Sequence, residues 1–342
     1  MTINVMVNGL PGNMASKVAE HIIKSDDFDI MYESLTGPEY SGTTRLEVDR
    51  EPGPPIILIR PDEREEKWKY IGMDYHKKFI SVDFTQPEAV IENAKFYVKH
   101  GLPFVMGTTG GNEKELEKIV KNSDICAVVA PNMAKQIVAF EKVISDFTDK
   151  YPNGLKGCKL IIEESHQQGK KDTSGTAKHM VGYFNKLGID FSVENIIKIR
   201  DPEEQRDLFV PEEFLGGHGW HTYKITANDL GKGNRTLGEL NTVLLDFLEK
   251  SDVFSDYTIN EQKPIKSKRR SHGSGQIIRE LKDDTVKFQM TYMPRRYILF
   301  SHEVNGRDIY AQGTIDAIKF LDKKIKNGEK GLYSMLDVLS GK

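Results

Sequence analysis

The feature that most constrains this chain stands at its beginning. Residues 3–7 form a short β-branched run, Asn8-Gly9-Leu10-Pro11-Gly12-Asn13 follows, and Met14, Val18 and Ile22 then recur at helical spacing. This order reads as strand, tight turn and helix, with glycines that let the backbone come close to whatever fills the turn. The alternation continues, with strands expected at 30–32, 56–59, 79–84, 104–106 and 127–129 and helices at 87–99 and 113–121. Strands that alternate with helices in this way imply a largely parallel sheet covered on both faces. After Pro131 the pattern changes to a helix at 134–149 and strands at 160–164, 196–200 and 221–227, and the chain closes with a helix at 309–326 and a tail at 333–339.

With 342 residues, 38% of them hydrophobic, the chain is long enough for two domains with separate cores and a cleft between them. A formal net charge of -3 gives no electrostatic reason to expect nucleic acid or a membrane surface as a partner, so small molecules are the default ligands. Cys126 and Cys158 are far apart and in no metal-ligand spacing, so no metal site and no disulfide framework are expected. The absence of a charged leader, a signal core or a run of about 20 apolar residues points to a soluble protein in a reducing compartment, read here as the cytoplasm.

Gly9-x-x-Gly12-x-x-Ala15 after the first strand matches a dinucleotide fingerprint, in which small residues admit a pyrophosphate to a helix amino terminus; an ordinary strand-to-helix turn is the plainer alternative. Gly9, Leu10, Pro11, Gly12, Asn13 and Met14 are the candidate contacts. At the end of the second strand Glu33 would favour NADH, whereas Ser34 and Thr36 could receive the 2'-phosphate of NADPH; the reading leans to NADPH. Gly107, Thr108 and Thr109 follow another strand end and suit a nicotinamide ribose, and Ala130, Pro131, Asn132 and Met133 occupy the same setting one strand further on. The expected fold is α/β: a Rossmann-like parallel-sheet nucleotide-binding domain at 1–132, with 309–342 packed back on it, plus an α+β substrate-binding and oligomerisation domain at 133–308.

Residues 163–178 concentrate the chemistry. His166 titrates near neutrality unless its surroundings shift it, Lys170 and Lys171 bring positive charge, and Ser174-Gly175-Thr176-Ala177 opens a helix whose free N–H groups suit a carboxylate. An imidazole that shares one polar loop with an ammonium and an anion cradle reads as catalytic rather than structural.

These segments resemble 4-hydroxy-tetrahydrodipicolinate reductases. The resemblance runs through the Gly9–Ala15 loop, Val82-Asp83-Phe84-Thr85-Gln86-Pro87, Phe104 to Gly111 and Glu164 to Ala177. It is similar to the plant-type branch in Ala130-Pro131-Asn132-Met133-Ala134-Lys135-Gln136, Glu164-Ser165-His166-Gln167, Gly217-His218-Gly219-Trp220-His221-Thr222-Tyr223 and the stretch 306–314. The resemblance implies that hydride from NADPH or NADH is added to the ring of a cyclic unsaturated dicarboxylate after loss of water, yielding tetrahydrodipicolinate in the diaminopimelate route to lysine. It gives His166 the acid/base position and Lys170 that of proton donor. Gln167 stands at a substrate contact where many bacterial members carry a second histidine, and Gly175 and Thr176 hold a carboxylate. A homodimer or homotetramer is implied as well.

Two alternatives belong to other classes: another NAD(P)-dependent oxidoreductase of the same two-domain plan, and a non-catalytic NADPH-binding sensor. Neither cysteine has a histidine near it in sequence, which disfavours a thioester mechanism. His218, His221, His302 and Arg307 read as structural, the last two as partners of buried carbonyls, and Trp68 and Trp220 as packing residues. The segment 229–284, with its basic run Lys266-Ser267-Lys268-Arg269-Arg270, reads as an unusual insertion, solvated or acting as a lid or intersubunit contact.

Overall fold

A computed structural model of the chain describes residues 2–47, 54–74, 79–108, 110–227, 235–252, 258–262, 277–282, 286–293 and 297–341. Thr109 and the basic run at 266–270 lie outside the described residues. The chain divides into two units, Met1–Val138 with Asp308–Lys342, and Ala139–Arg307.

The first unit runs β1 (Ile3–Asn8), α1 (Asn13–Ile23), β2 (Phe28–Ile30), β3 (Glu33–Leu35), β4 (Arg45–Leu46), β5 (Ile56–Ile59), α2 (Arg64–Asp74), β6 (Ile80–Asp83), α3 (Val90–Lys99), β7 (Phe104–Met106), α4 (Glu113–Lys121), β8 (Cys126–Val129) and the start of α5 (Lys135–Lys150). Its sheet is parallel, in the order β2-β1-β6-β7-β8. Alternate residues of one strand enter different cores: Val5 and Val7 pack with α1, whereas Met6 packs with α3 residues Ala94 and Tyr97. Burial on both faces is why these strands read as unbroken apolar runs.

The strand expected at 30–32 is two strands. β2 ends at Ile30 beside β1, and β3 pairs with β5 in a separate small sheet of order β3-β5-β4. Leu35 follows the split strand far enough to accept the Gly9 N–H at 2.8 Å, which ties the first turn to the end of β3.

The second unit holds β9 (Lys159–His166), α6 (Gly175–Lys186), β10 (Ile197–Ile199), α7 (Pro202–Asp207), β11 (His218–Thr226), α8 (Arg235–Lys250), β12 (Thr258–Gln262), β13 (Ile277–Lys282), β14 (Val286–Met293) and β15 (Tyr297–Asn305). They form one mixed sheet, β10-β9-β11-β15-β14-β13-β12, in which only β9 and β10 run parallel. Tyr223 and Phe300 on the sheet meet Phe140 of α5 and Phe184 of α6 at ring separations of 5.7 to 6.5 Å, an aromatic core. In the described part of segment 229–284, α8 buries Leu237, Leu240, Leu244 and Phe247, and β12 and β13 extend the sheet at its edge. No helix among the described residues is long and apolar enough to cross a membrane.

The chain then returns to the first unit as α9 (Asp308–Lys326), β16 (Gly331–Tyr333) and α10 (Met335–Ser340). β16 joins the parallel sheet beside β8, and Ala311, Ala317, Ile318 and Leu321 of α9 enter the core that holds Val5 and Val7. Gly313 makes this docking possible, since a Cβ there would stand 1.8 Å from the Met133 carbonyl oxygen. Gly313→Ala must therefore push α9 away from the backbone at Met133. We expect a loss of about 1–3 kcal/mol, read as a lower urea midpoint, the range for overpacked cores.

Candidate active site

The turn after β1 forms the floor of a cavity of about 700 Å³ lined by Gly9 to Met14, Gly37, Glu39 to Gly42 and Phe84 to Gln86. Gly9 has φ +100°, a conformation that side-chain-bearing residues rarely adopt, and a Cβ there would meet the Phe84 carbonyl oxygen at 2.4 Å. At Gly12 a Cβ would lie 2.8 Å from the Gly9 carbonyl. The six residues expected to contact the cofactor thus line one cradle in front of the α1 amino terminus, although Leu10 turns its side chain into the core. A pyrophosphate fits such a cradle, whose N–H groups and helix dipole favour anions.

The phosphate site expected at the end of the second strand needs correction. Ser34 and Thr36 are buried, at 0% and 2% exposure, and the Thr36 hydroxyl donates to the Ile59 carbonyl, so neither can receive a 2'-phosphate. The Thr108 hydroxyl is committed to Asp83 Oδ1 at 3.0 Å. Ala130 and Met133 are core side chains, while Pro131 is exposed and Asn132 accepts the Ala134 N–H. Gly107, Thr108 and 130–133 follow β7 and β8 but do not line the cavity around the first turn.

Asp83 is a residue that sequence reasoning passed over except as part of a motif. Fully buried at the end of β6, its Oδ1 accepts from Thr85 N, Thr85 Oγ1 and Thr108 Oγ1, and its Oδ2 accepts from Asn93 Nδ2 and Tyr97 OH. Asn8 donates to the same Tyr97 oxygen and accepts the Leu35 N–H, so the ends of β1, β3, β6 and β7 share one network.

In the second unit His166 is the last residue of β9 rather than part of a loop, because the strand expected to stop at 164 pairs with β11 as far as His166↔Gly219. Its ring lies against Gly219, where a Cβ would be 3.0 Å from His166 Cε1. His166 Nδ1 is 3.0 Å from the His218 carbonyl oxygen, which can only accept. Nδ1 therefore carries the proton, and Nε2, buried without a partner among the described residues, holds the lone pair. The His218 ring is fixed in turn, donating from Nδ1 to the Phe214 carbonyl and accepting from the Ser165 hydroxyl at Nε2. Gln205 of α7 donates to the His166 carbonyl at 2.7 Å.

Beyond His166 the chain turns, with Lys170 N donating to the Gln167 carbonyl at 2.9 Å. Lys170 Nζ reaches Asp172 Oδ1 at 2.8 Å, and Gly175 and Thr176 begin α6, whose cap residue Ser174 makes no side-chain capping hydrogen bond to the first N–H groups among the described residues. A Cβ at Gly175 would meet nothing within 4 Å, so the space before this helix end is open. His166, Gln167, Lys170, Gly175 and Thr176 are thus gathered on one strand end, one turn and one helix start.

The sheet adds neighbours that the sequence set aside. His221 stands 5.1 Å from His166 and 4.6 Å from His302, centroid to centroid. Among the described residues neither His221 nitrogen nor His302 Nδ1 has a hydrogen-bond partner. Glu164, His166 and His221 place possible ligand atoms within 4.8 Å of one another. Both Glu164 oxygens are already taken, Oε1 by Arg200 and Oε2 by the Ser174 N–H, and the guanidinium repels a cation, so the group reads as an ion pair beside imidazoles.

Burial holds these imidazoles neutral. Desolvation, helped by the charges of Lys170 and Arg200, pushes His166 down to about 3; desolvation, with His166 nearby, brings His302 to about 3; His221 is driven well below the ordinary value by burial. The unfolded chain therefore binds more protons than the folded one between about pH 6.5 and 3. Their contribution to stability is complete above pH 6.5 and is lost as pH falls toward 3. The melting temperature should drop across this window, and less steeply in His302→Phe; an equal slope in the variant would sink the attribution.

Comparison with known proteins agrees with this layout. Residues 3–133 match the family model described as dihydrodipicolinate reductase, N-terminus, and residues 140–339 match dihydrodipicolinate reductase, C-terminus. The chain is 36% identical to the probable 4-hydroxy-tetrahydrodipicolinate reductase 1, chloroplastic, of Oryza sativa, over 98% of this chain and 78% of the relative. It is 35% identical to 4-hydroxy-tetrahydrodipicolinate reductase 2, chloroplastic, of Arabidopsis thaliana, over 98% and 77%. These matches span the segment 229–284, so it is no peculiarity of this chain. A dipicolinate-bound dihydrodipicolinate reductase from Paenisporosarcina sp. TG-14 shares the fold, with a TM-score of 0.50 at 14% identity and 98% of each chain covered. The plant relatives are named chloroplastic, which overturns the expectation of a cytoplasmic protein. A low cysteine count and a modest net charge suit either reducing, aqueous compartment and cannot tell them apart.

Proposed function

We propose roles for individual residues on the premise that the chain belongs to the dihydrodipicolinate reductase family, whose reaction is the NAD(P)H-dependent reduction of 4-hydroxy-tetrahydrodipicolinate to tetrahydrodipicolinate in lysine biosynthesis. The observation that carries the assignment is the convergence of His166, Lys170 and the α6 amino terminus within the Glu164–Thr176 stretch. A bound nicotinamide would supply hydride, and the Gly9–Met14 cradle in front of α1 would hold its dinucleotide, with Gly107, Thr108 and 130–133 as further contacts through their backbone.

The N–H groups of Gly175 and Thr176 bind one carboxylate of the substrate, and the Gln167 side chain hydrogen-bonds to it. His166, neutral and protonated at Nδ1 in the free protein, serves as base through Nε2 while water is lost, the negative charge of the bound dicarboxylate offsetting the Lys170 and Arg200 charges that hold its basicity down. Hydride addition leaves negative charge on the ring, which Lys170 neutralises by delivering a proton from Nζ. Asp172 keeps the Lys170 ammonium oriented until the substrate arrives.

For the coenzyme, the cavity rim carries Glu39, which would favour a ribose diol, and Gly42, whose carbonyl accepts from Arg60 Nη2 at 3.3 Å, which supports a guanidinium close to the rim as a partner for a 2'-phosphate. We infer that both NADH and NADPH are used. Glu39→Ala should shift the ratio of kcat/KM toward NADPH by roughly tenfold through loss of one repulsive charge at the rim; an unchanged ratio would remove Glu39 from the choice. The protein is expected to act as a homo-oligomer.

The decisive assay follows NADPH and NADH oxidation by absorbance while dihydrodipicolinate synthase generates the unstable substrate. His166→Ala and Lys170→Ala should each lower kcat by about 10²- to 10⁴-fold. Gly175→Ala, which meets no protein atom, should raise the substrate KM and leave the melting temperature unchanged. Full turnover in both His166→Ala and Lys170→Ala would overturn these roles.

A further inference from the structure

We propose that Arg200 is the positioning residue of this site, fixing through the buried Glu164 the stretch of chain that presents Lys170 and the α6 amino terminus. The inference rests on the roles given above to Lys170 and α6. β10 pairs in parallel with β9, with Lys198 opposite Glu164 and Ile199 opposite Ser165, so Arg200 leaves the sheet beside His166. Its guanidinium then gathers backbone that is distant in sequence. Nε donates to the Lys170 carbonyl at 3.0 Å, Nη1 to the Glu164 carbonyl at 3.2 Å and the Ile199 carbonyl at 3.1 Å, and Nη2 to the Glu164 carboxylate and the Asp172 carbonyl at 3.4 Å.

Glu164 completes the frame. It has no exposed surface, and a carboxylate there requires charged or N–H partners. Arg200 satisfies Oε1, and the N–H of Ser174, the cap residue of α6, satisfies Oε2 at 3.0 Å. One ion pair thereby holds the carbonyls of 170 and 172 and the start of the helix in a fixed relation, while Lys170 closes onto the Asp172 side chain. Only a planar fork with five donors can serve these acceptors together; a lysine would reach one of them. Arg200 acts through Lys170 and α6, which is why it is a positioning and not a catalytic residue.

The test compares the native protein with Arg200→Ala and Arg200→Lys, with and without millimolar guanidinium, measuring kcat, substrate KM and NADPH affinity. Arg200→Ala should lose about 10²-fold in kcat/KM, mostly in kcat, the cost of misplacing a reacting group by an ångström, with NADPH affinity unchanged. Arg200→Lys should not restore it. Guanidinium should recover activity in Arg200→Ala, with no gain in the native protein or in Lys170→Ala. On a Lys170→Ala background the Arg200→Ala change should cost little further in kcat, since the ammonium it positions is gone, and should leave only the rise in substrate KM that a displaced α6 causes. Should Arg200→Ala fail to fold, Glu164→Gln, which keeps the shape and removes the charge, should show the same kcat loss and the same non-additivity with Lys170→Ala. Native-like turnover in Arg200→Ala, or a loss that guanidinium does not touch and that multiplies fully with Lys170→Ala, would overturn the positioning role. If instead Lys170→Ala retains native turnover, the assigned chemistry itself fails, whatever Arg200 does.

Discussion

A carboxyl group buried at the end of a strand must find its donors in the surrounding loops, and in each unit one such group fixes the backbone that the reaction uses. Asp83 ends β6 with no exposed surface and draws in Thr85, Asn93, Tyr97 and Thr108. The cavity-lining segment after β6 and the turn after β7 are thereby held by one side chain. Glu164, one pleat before the end of β9, does the same with Arg200 and Ser174. Leaving either group unpaired in the interior would cost several kcal/mol, and that cost is what makes the loops specific rather than merely close.

The second constraint is the sheet itself. Strands whose ends lie side by side bring together residues that no local pattern connects: Gly219 with His166, His302 with His221, and Arg200 with Glu164. The resulting environment sets the protonation of the site. His166 is neutral because it is largely desolvated near the charges of Lys170 and Arg200, and its tautomer is chosen by a carbonyl on the neighbouring strand. A histidine of ordinary pKa at this strand end would be partly charged near neutrality and would serve as an acid as readily as a base.

Much of this was legible in the residues. Gly9 and Gly12 announce a backbone conformation and a closeness of approach that few other residues allow, and the cavity stands where they put it. The helix start at Gly175 was readable because Ser174-Gly175-Thr176 is a local signal. Ser34 and Thr36 show where such reading stops: their hydroxyls suggest a phosphate site, yet β3 pairs with β5 and carries them inside. Arg200 gave one faint signal, its place at the end of a predicted strand, and nothing local tied it to residues 164–174. The compartment was not legible at all, since the body of an enzyme is built for its solvent and not for its address.

What the sequence by itself determined is what depends on neighbours along the chain: the alternation of strands and helices, the glycine turn, the helix amino termini, and the imidazole and ammonium carried a few residues apart. These follow from periodicity and backbone sterics, which act over one or two turns of chain. Tertiary structure alone decided the split of the second strand, the burial of Ser34 and Thr36, the neutral state of His166 and the pairing of Glu164 with Arg200. Each of these depends on which strand lies beside which, and strand order is set by packing a whole core, a global free energy that no short window of residues contains.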